Sequence, residues 1–154
     1  MAYEFKAIRC VEFAETDMAG IMHYSNFFHF METTEHAFFR SLGLSIFPDK
    51  VEPWVGWPRV HARCDFKSPL RFEDEVEIHL LVSEKKSKAL SYLFKFRKLN
   101  ASPPVEVARG ALTVVCVRRR PDGAMAACEI PPLVARKIQA APAKLLGGRV
   151  KITA

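Results

Sequence analysis

A chain of 154 residues, 49% hydrophobic and 26% charged, has the make-up of one folded domain and excludes a disordered or fibrous protein. Lys and Arg number 23 against 17 Asp and Glu, and the net charge of +6 favours anionic partners: nucleic acid, acidic lipid or a phosphate-bearing small molecule. No apolar run approaches the ~20 residues that span a bilayer, and the charged opening, with Glu4, Lys6, Arg9 and Glu12, is unlike a secretory leader, so a cytoplasmic protein without a membrane partner is expected.

In chain order, residues 5–13 read as a strand with Phe5, Ala7, Val11 and Phe13 on one face, which Arg9 interrupts. A loop over 14–24 contains Gly20. Residues 25–42 read as a helix. Phe27, Met31, Thr34 and Phe38 recur at helical spacing, and Phe28, Phe39 and Leu42 widen the stripe. Ser25 is the expected N-cap, and Gly43 the expected left-handed residue past the last turn, with Leu44 closing the contact. Residues 45–58 are irregular, punctuated by Pro48, Pro53, Gly56 and Pro58.

Four strands follow. Val60, Ala62, Cys64 and Phe66 alternate with polar residues, and Val76, Ile78, Leu80 and Val82, then Leu90, Tyr92, Phe94 and Phe96, alternate with residues that are polar apart from Leu81 and Leu93. Residues 105–117 form a long run of β-branched and small side chains. A period of two marks strands with one buried face. Turn chemistry separates them at Ser68-Pro69, 85–88, 100–104 and Pro121-Asp122-Gly123. Pro131-Pro132 opens a short helix through Gln139. The domain is expected over 1–139, with a basic, fraying tail at 140–154. One strand, one long helix and four sequential strands predict an α+β fold: an antiparallel sheet with a helix across one face.

Cys10, Cys64, Cys116 and Cys128 form no C-x-x-C pair, which argues against a zinc knuckle or a thioredoxin motif. The first three sit in apolar or alternating runs and read as buried free thiols. His29, Glu32, Glu35 and His36 can share a helix face, but no H-E-x-x-H motif or third ligand accompanies them. They read as hydrogen-bonded groups at a subunit contact, and no metal is expected.

The informative stretch is Glu15-Thr16-Asp17-Met18-Ala19-Gly20-Ile21-Met22-His23-Tyr24-Ser25-Asn26-Phe27. Asp17 lies in a loop just before the helix, and Gly20 lets the backbone turn sharply. The helix begins with unpaired N–H groups and the positive end of its dipole. A carboxylate beside such a terminus supplies what acyl transfer needs: a base or nucleophile, and donors for the developing oxyanion. The structural alternative for Asp17 is an Asx-turn aspartate.

The run Asp17-x-Ala19-Gly20-Ile21-x-x-Tyr24-x-Asn26-Phe27 closely resembles the 4-hydroxybenzoyl-CoA thioesterase family of hot-dog proteins. Val11-Glu12-Phe13, Leu42-Gly43-Leu44, Gly56-x-Pro58, Asp65-Phe66, Pro69-Leu70 and Asp74-Glu75-Val76 fit the same pattern. The resemblance implies a hot-dog fold, an antiparallel sheet wrapped around one long helix, and hydrolysis of an acyl-CoA, aromatic acyl groups included, to the free acid and CoA with no cofactor. It implies Asp17 as catalytic nucleophile or general base and the backbone N–H of Tyr24 as oxyanion donor. His23, Asn26, Gly56 and Trp57 would contact the substrate. Lys85, Lys86 and Lys88 would hold the CoA phosphates, against the plain reading of a solvated turn. Homodimers joined edge to edge, with sites at the interface, often pair into homotetramers in this family. A second thioesterase class of this fold carries its carboxylate on the helix, which makes Glu32 the reserve candidate.

Two departures stand out. Ala124-Met125-Ala126-Ala127 replaces a stretch in which the family example has arginines, and Trp57 is bulky beside Gly56, so the acyl group is expected to differ from hydroxybenzoyl. The rivals are an acyl-carrier-protein thioesterase, another hot-dog enzyme such as a dehydratase, and a non-catalytic nucleic-acid binder. The tail residues Arg136, Lys137, Lys144, Arg149 and Lys151 motivate the last, but they lack the interleaved aromatics of single-strand binders, so no nucleic acid is expected.

Overall fold

The structure, a computed structural model, describes residues 1–46 and 54–147. Pro48, Pro53, Arg149 and Lys151, singled out above, lie outside the described residues. The long helix α1 covers Ser25–Ser41. Strands β1 (Glu4–Cys10), β2 (Arg59–Phe66), β3 (Glu75–Lys85), β4 (Ala89–Lys98) and β5 (Val105–Val115) form one antiparallel sheet in the order β1-β3-β4-β5-β2. A small ladder of β6 (Val117–Arg119) and β7 (Met125–Ala127) closes through the expected turn, with Gly123 at φ +82°. Among the described residues no helix is long and apolar enough to cross a membrane.

The period-two faces of β3 and β4 meet the stripe of α1. Val76, Ile78, Leu80, Val82, Leu90, Tyr92, Phe94 and Phe96 are all buried against Phe27, Phe30, Met31, Phe38 and Phe39. Each such side chain contributes ~1.5–3 kcal/mol by leaving water, so this layer dominates the fold's stability. Gly110 sets the helix-to-sheet approach: a Cβ there would lie 2.2 Å from Met31 Sδ. The helix ends as expected, with Gly43 at φ +67°. The N–H groups of Gly43 and buried Leu44 satisfy the Arg40 and Phe39 carbonyls, both at 3.0 Å.

Several expectations are corrected. β1 stops at Cys10, because Val11 exchanges hydrogen bonds with Glu73 and Asp74 and a 3-10 turn, Phe13–Glu15, follows. Phe13, expected to face inward, is 75% exposed and stacks edge-on with Phe72. Arg9 stays on the inner face because its guanidinium lies over the Phe30 ring, 4.6 Å from the centroid. The N-cap is Tyr24, not Ser25, and it makes no side-chain cap. The His23 ring does that work instead, with Nδ1 accepting the Ser25 N–H at 3.3 Å and lying 2.8 Å from Ser25 Oγ.

The expected buried face of β2 is open: Val60 is 63% and Phe66 50% exposed, because β2 is an edge strand. The run over 105–117 breaks at Cys116, where the chain leaves β4 and pairs onward with β7. Cys10 is exposed and Cys64 half-buried, both through their places on edge strands, while Cys116 is buried as expected. The short helix α2 covers only Pro132–Ala135. Residues 140–147 do not fray. There the short helix α3 (Ala143–Leu146) sets Leu145 and Leu146 on Leu81 and Leu93, on the sheet face opposite α1, and Lys95 Nζ donates to Leu145 O at 2.7 Å.

Candidate active site

The segment 15–23 forms a narrow hairpin. His23 N–H donates to Glu15 O at 2.8 Å, Asp17 N–H to Ile21 O at 2.9 Å, and Gly20 N–H, with Gly20 at φ +74°, to Asp17 O at 2.9 Å. Met22 N–H pins the hairpin to Leu70 O at 2.7 Å. Asn26 Nδ2 donates to Glu15 O at 2.8 Å and ties the first turn of α1 to the same hairpin. Asn26 is thus engaged in holding the loop.

This bracing leaves Asp17 half-buried beside the start of α1. Asp17 Oδ1 accepts the Ala19 N–H at 2.8 Å, which is the Asx-turn. Its second oxygen makes no hydrogen bond among the described residues. At the helix start, Ser25 N–H is capped by His23, and the Asn26 and Phe27 amides bond the His23 and Tyr24 carbonyls. The Tyr24 N–H has no partner among the described residues. A free carboxylate oxygen and a free amide at the positive end of a helix therefore share one hairpin-and-turn unit. The first can attack or deprotonate; the second can donate a hydrogen bond to a negative oxygen.

Farther along α1 lies a polar cluster that the sequence assigned to a subunit contact, with Glu32 as the reserve catalytic carboxylate. Glu35 is fully buried, and its Oε2 is 2.6 Å from Arg59 Nη2, while Glu32 Oε1 is 3.6 Å from the same nitrogen. Burial pushes the Glu35 carboxyl up to about 7, Arg59 opposing and Glu32 adding to the rise. Glu35 Oε1 and the adjacent Tyr92 hydroxyl are buried without a completed hydrogen bond. Burial also holds His36 below its ordinary value, against the pull of Glu32. The described residues contain no group of three side chains able to hold a metal ion. The signal for this cluster was Arg59 in register with a helical acid, which a single sequence does not display.

The remaining candidates gather at the other end of the sheet. Gly56 exchanges two backbone hydrogen bonds with Val117, at 2.8 and 2.9 Å, and the Trp54 ring is 3.2 Å from where a Cβ would stand. Trp57 is 6% exposed and packs edge-on against Phe39, 5.8 Å between ring centroids, so it is a core residue within the single chain. Lys85 donates to the Ala135 and Ile138 carbonyls, the latter at 2.8 Å, and fastens α2 to the sheet. Lys86 and Lys88 are exposed, and Lys86 is 3.3 Å from Glu84. Beside them opens a cavity of about 920 Å³ lined by Val55, Lys85, Arg118, Cys128, Ile130 and Arg136 among others; Asp17 is not in its wall. The Asp17 hairpin joins the sheet near the Phe66 end of β2, through Leu70, and Gly56 precedes the Arg59 end. The eight residues of β2 span roughly 25 Å, so one chain does not bring the two groups together.

A 1,4-dihydroxy-2-naphthoyl-CoA hydrolase of Picosynechococcus sp. is 27% identical over 144 residues, 92% of this chain and 95% of that protein. The chain spans about three-fifths of the length of the first curated relatives it matches: 59% of an Aquifex aeolicus protein at 40% identity, and 64% of a Prochlorococcus marinus 1,4-dihydroxy-2-naphthoyl-CoA hydrolase at 29%. Among solved structures, a gentisyl-coenzyme A thioesterase is 32% identical with a TM-score of 0.72, covering 85% of this chain and 99% of that one. The 4-hydroxybenzoyl CoA thioesterase from Pseudomonas sp. strain CBS-3 shares the fold at 20% identity, with a TM-score of 0.77 over 87% of this chain and 99% of that one. The antiparallel sheet with one long helix is thus the hot-dog fold. With residues 11–138 matching the family model of the thioesterase-like superfamily, the chain belongs to that superfamily.

Proposed function

We propose that this chain is an acyl-CoA thioesterase that releases a free acid and CoA, with Asp17 as the catalytic carboxylate. The observation that carries the reading is the pairing of an unengaged Asp17 oxygen with the unengaged Tyr24 N–H on one braced hairpin. The thioester carbonyl oxygen would accept the Tyr24 N–H at the positive end of α1. Asp17 then attacks the carbonyl carbon, or draws a proton from a water that does. The tetrahedral adduct collapses with loss of the CoA thiolate. In the nucleophilic route, water cleaves the resulting anhydride and restores the carboxylate. His23, braced on Ser25, shapes the wall beside the oxyanion donor, and Asn26 positions the hairpin.

Relatives whose names specify naphthoyl, hydroxybenzoyl and gentisyl groups make aromatic acyl groups the first candidates. The proposed unit is a homodimer joined through β2, whose open edge is otherwise a liability for uncontrolled pairing. Two-fold pairing of β2 with its copy sets the Phe66 end of one protomer against the Arg59 end of the other. That would bring Gly56, Trp57 and the lysine turn of the partner subunit to the Asp17 hairpin. Lys86 and Lys88 would hold the CoA phosphates, with Lys85 fixing the turn. Two such dimers would make the tetramer. A cytoplasmic setting fits this reading.

The test is Asp17→Asn assayed against aliphatic and aromatic CoA thioesters, and against the same acyl groups on carrier protein. The expected result is turnover of CoA thioesters by the wild type and its near-complete loss in the variant. Near-wild-type turnover by Asp17→Asn across the panel would remove Asp17 from the mechanism.

A further inference from the structure

Two cysteines that the proposed chemistry does not use stand face to face. Cys116 precedes β6 and Cys128 follows β7, each one step beyond the paired residues Val117 and Ala127. Cys128 N–H donates to Cys116 O at 2.9 Å, which makes the two direct cross-strand neighbours. Their Sγ atoms are 3.6 Å apart. Directly opposed residues in an antiparallel pair hold their Cα atoms about 4.5–5.5 Å apart, inside the range that a disulfide spans. The sulfurs need approach by only about 1.5 Å to reach bonding distance.

The two thiols differ in access. Cys116 is fully buried, whereas Cys128 is half-buried and lines the cavity of about 920 Å³. Cys10 and Cys64 have no such arrangement: they lie on β1 and β2, at opposite edges of the sheet, with three strands between them.

We propose that Cys116 and Cys128 form an oxidisable dithiol, a modification site for peroxide-class two-electron oxidants that enter through the cavity. The Cys128 sulfur attacks the peroxide O–O bond, gains one oxygen as a sulfenic acid, and one water leaves. The Cys116 sulfur then attacks the Cys128 sulfur, and the expelled hydroxide leaves with the Cys116 proton as a second water. One peroxide is reduced to two waters while two thiols become one disulfide. Burial, then the hydrogen bond and charge of Cys128, pushes the Cys116 thiol up to about 12, which leaves the cavity-lining Cys128 as the sulfur oxidised first; the 3.6 Å separation then places Cys116 to resolve it. The bridge would close the β6–β7 hairpin at its base. Cys116 and Ile130, two residues past Cys128, anchor the 85–88 turn, through Cys116 N–H to Lys88 O and Ile130 N–H to Ser87 O, both at 2.8 Å.

The experiment treats the full chain with hydrogen peroxide, alkylates the remaining thiols and maps the peptides by mass. The expected product is an intramolecular Cys116–Cys128 link with a loss of about 2 Da, reversed by dithiothreitol, with Cys10 and Cys64 alkylated. Cys128→Ser, on the cavity wall, should abolish the link, and Cys116→Ser should accumulate a dimedone-trappable sulfenic acid on Cys128. A link through Cys10 or Cys64, or over-oxidation of Cys128 with Cys116 still free, overturns the proposal. Neither outcome depends on whether the chain hydrolyses acyl-CoA.

Discussion

The two ends of β2 present different chemistry. At the Phe66 end, a braced hairpin offers a carboxylate oxygen and a helix-start amide, both unengaged. At the Arg59 end, a cavity of about 920 Å³ opens beside exposed lysines and a glycine strapped to Val117. Asp17 does not line that cavity. The hydrophobic core is complete within one chain, while the groups proposed for the chemistry lie at opposite ends of an open strand. On the proposed reading, folding and function have different minimal units: one chain for the first, two for the second.

The comparison can be broken most sharply at Asp17. Asp17→Asn should lower kcat by at least about 10³-fold in steady-state assays, with thermal unfolding little changed, because Asn keeps an oxygen for the Ala19 N–H. The next effect lies in the strap between α1 and the Arg59 end. A Glu35 carboxyl raised from 4.5 to about 7 binds its proton more tightly in the folded state. Its contribution to stability is therefore greatest below pH ~4.5 and is lost as pH rises to about 7, about 3 kcal/mol in all. Urea unfolding at pH 5 and pH 8 should show this loss in the wild type and not in Glu35→Gln. An identical pH response in both would contradict it.

Gly110→Ala tests the shared core instead of either end. The new Cβ meets Met31 Sδ in a buried site and should cost about 1–3 kcal/mol by denaturant titration. Smallest is the lysine turn: Lys86→Ala and Lys88→Ala should each raise KM for a CoA thioester a few-fold, with kcat unchanged and the difference shrinking in high salt.

Much of this was legible in the residues. The 3.6-period stripe of α1 and the period-two faces of β3 and β4 located the core, since both patterns are satisfied inside one chain. The Gly43 stop was legible because only a left-handed residue completes that cap. What could not be read depends on which side chain reaches which partner. Arg9 looked misplaced until Phe30 supplied a ring beneath it. Ser25 looked like a cap, but the His23 ring reached its amide. Lys85 resembled its neighbours until the Ile138 carbonyl claimed it. The alternation of β2 foretold a covered face, and a single chain leaves it bare, since α1 packs over the centre of the sheet and β2 stands at its edge. At the site, the loop carboxylate and the helix start were visible in the motif. The two unengaged groups emerged only from tracing every hydrogen bond around them.

The proposed division of the site between subunits is tested most directly by mixed dimers. Asp17→Asn protomers are combined with protomers carrying Lys86→Glu and Lys88→Glu, and hydrolysis is measured at limiting acyl-CoA. A site shared across β2 predicts recovery well above both parent homodimers, because each mixed dimer regains one native pairing of Asp17 with an intact lysine turn. Activity no greater than the average of the two parents would show that each chain works alone.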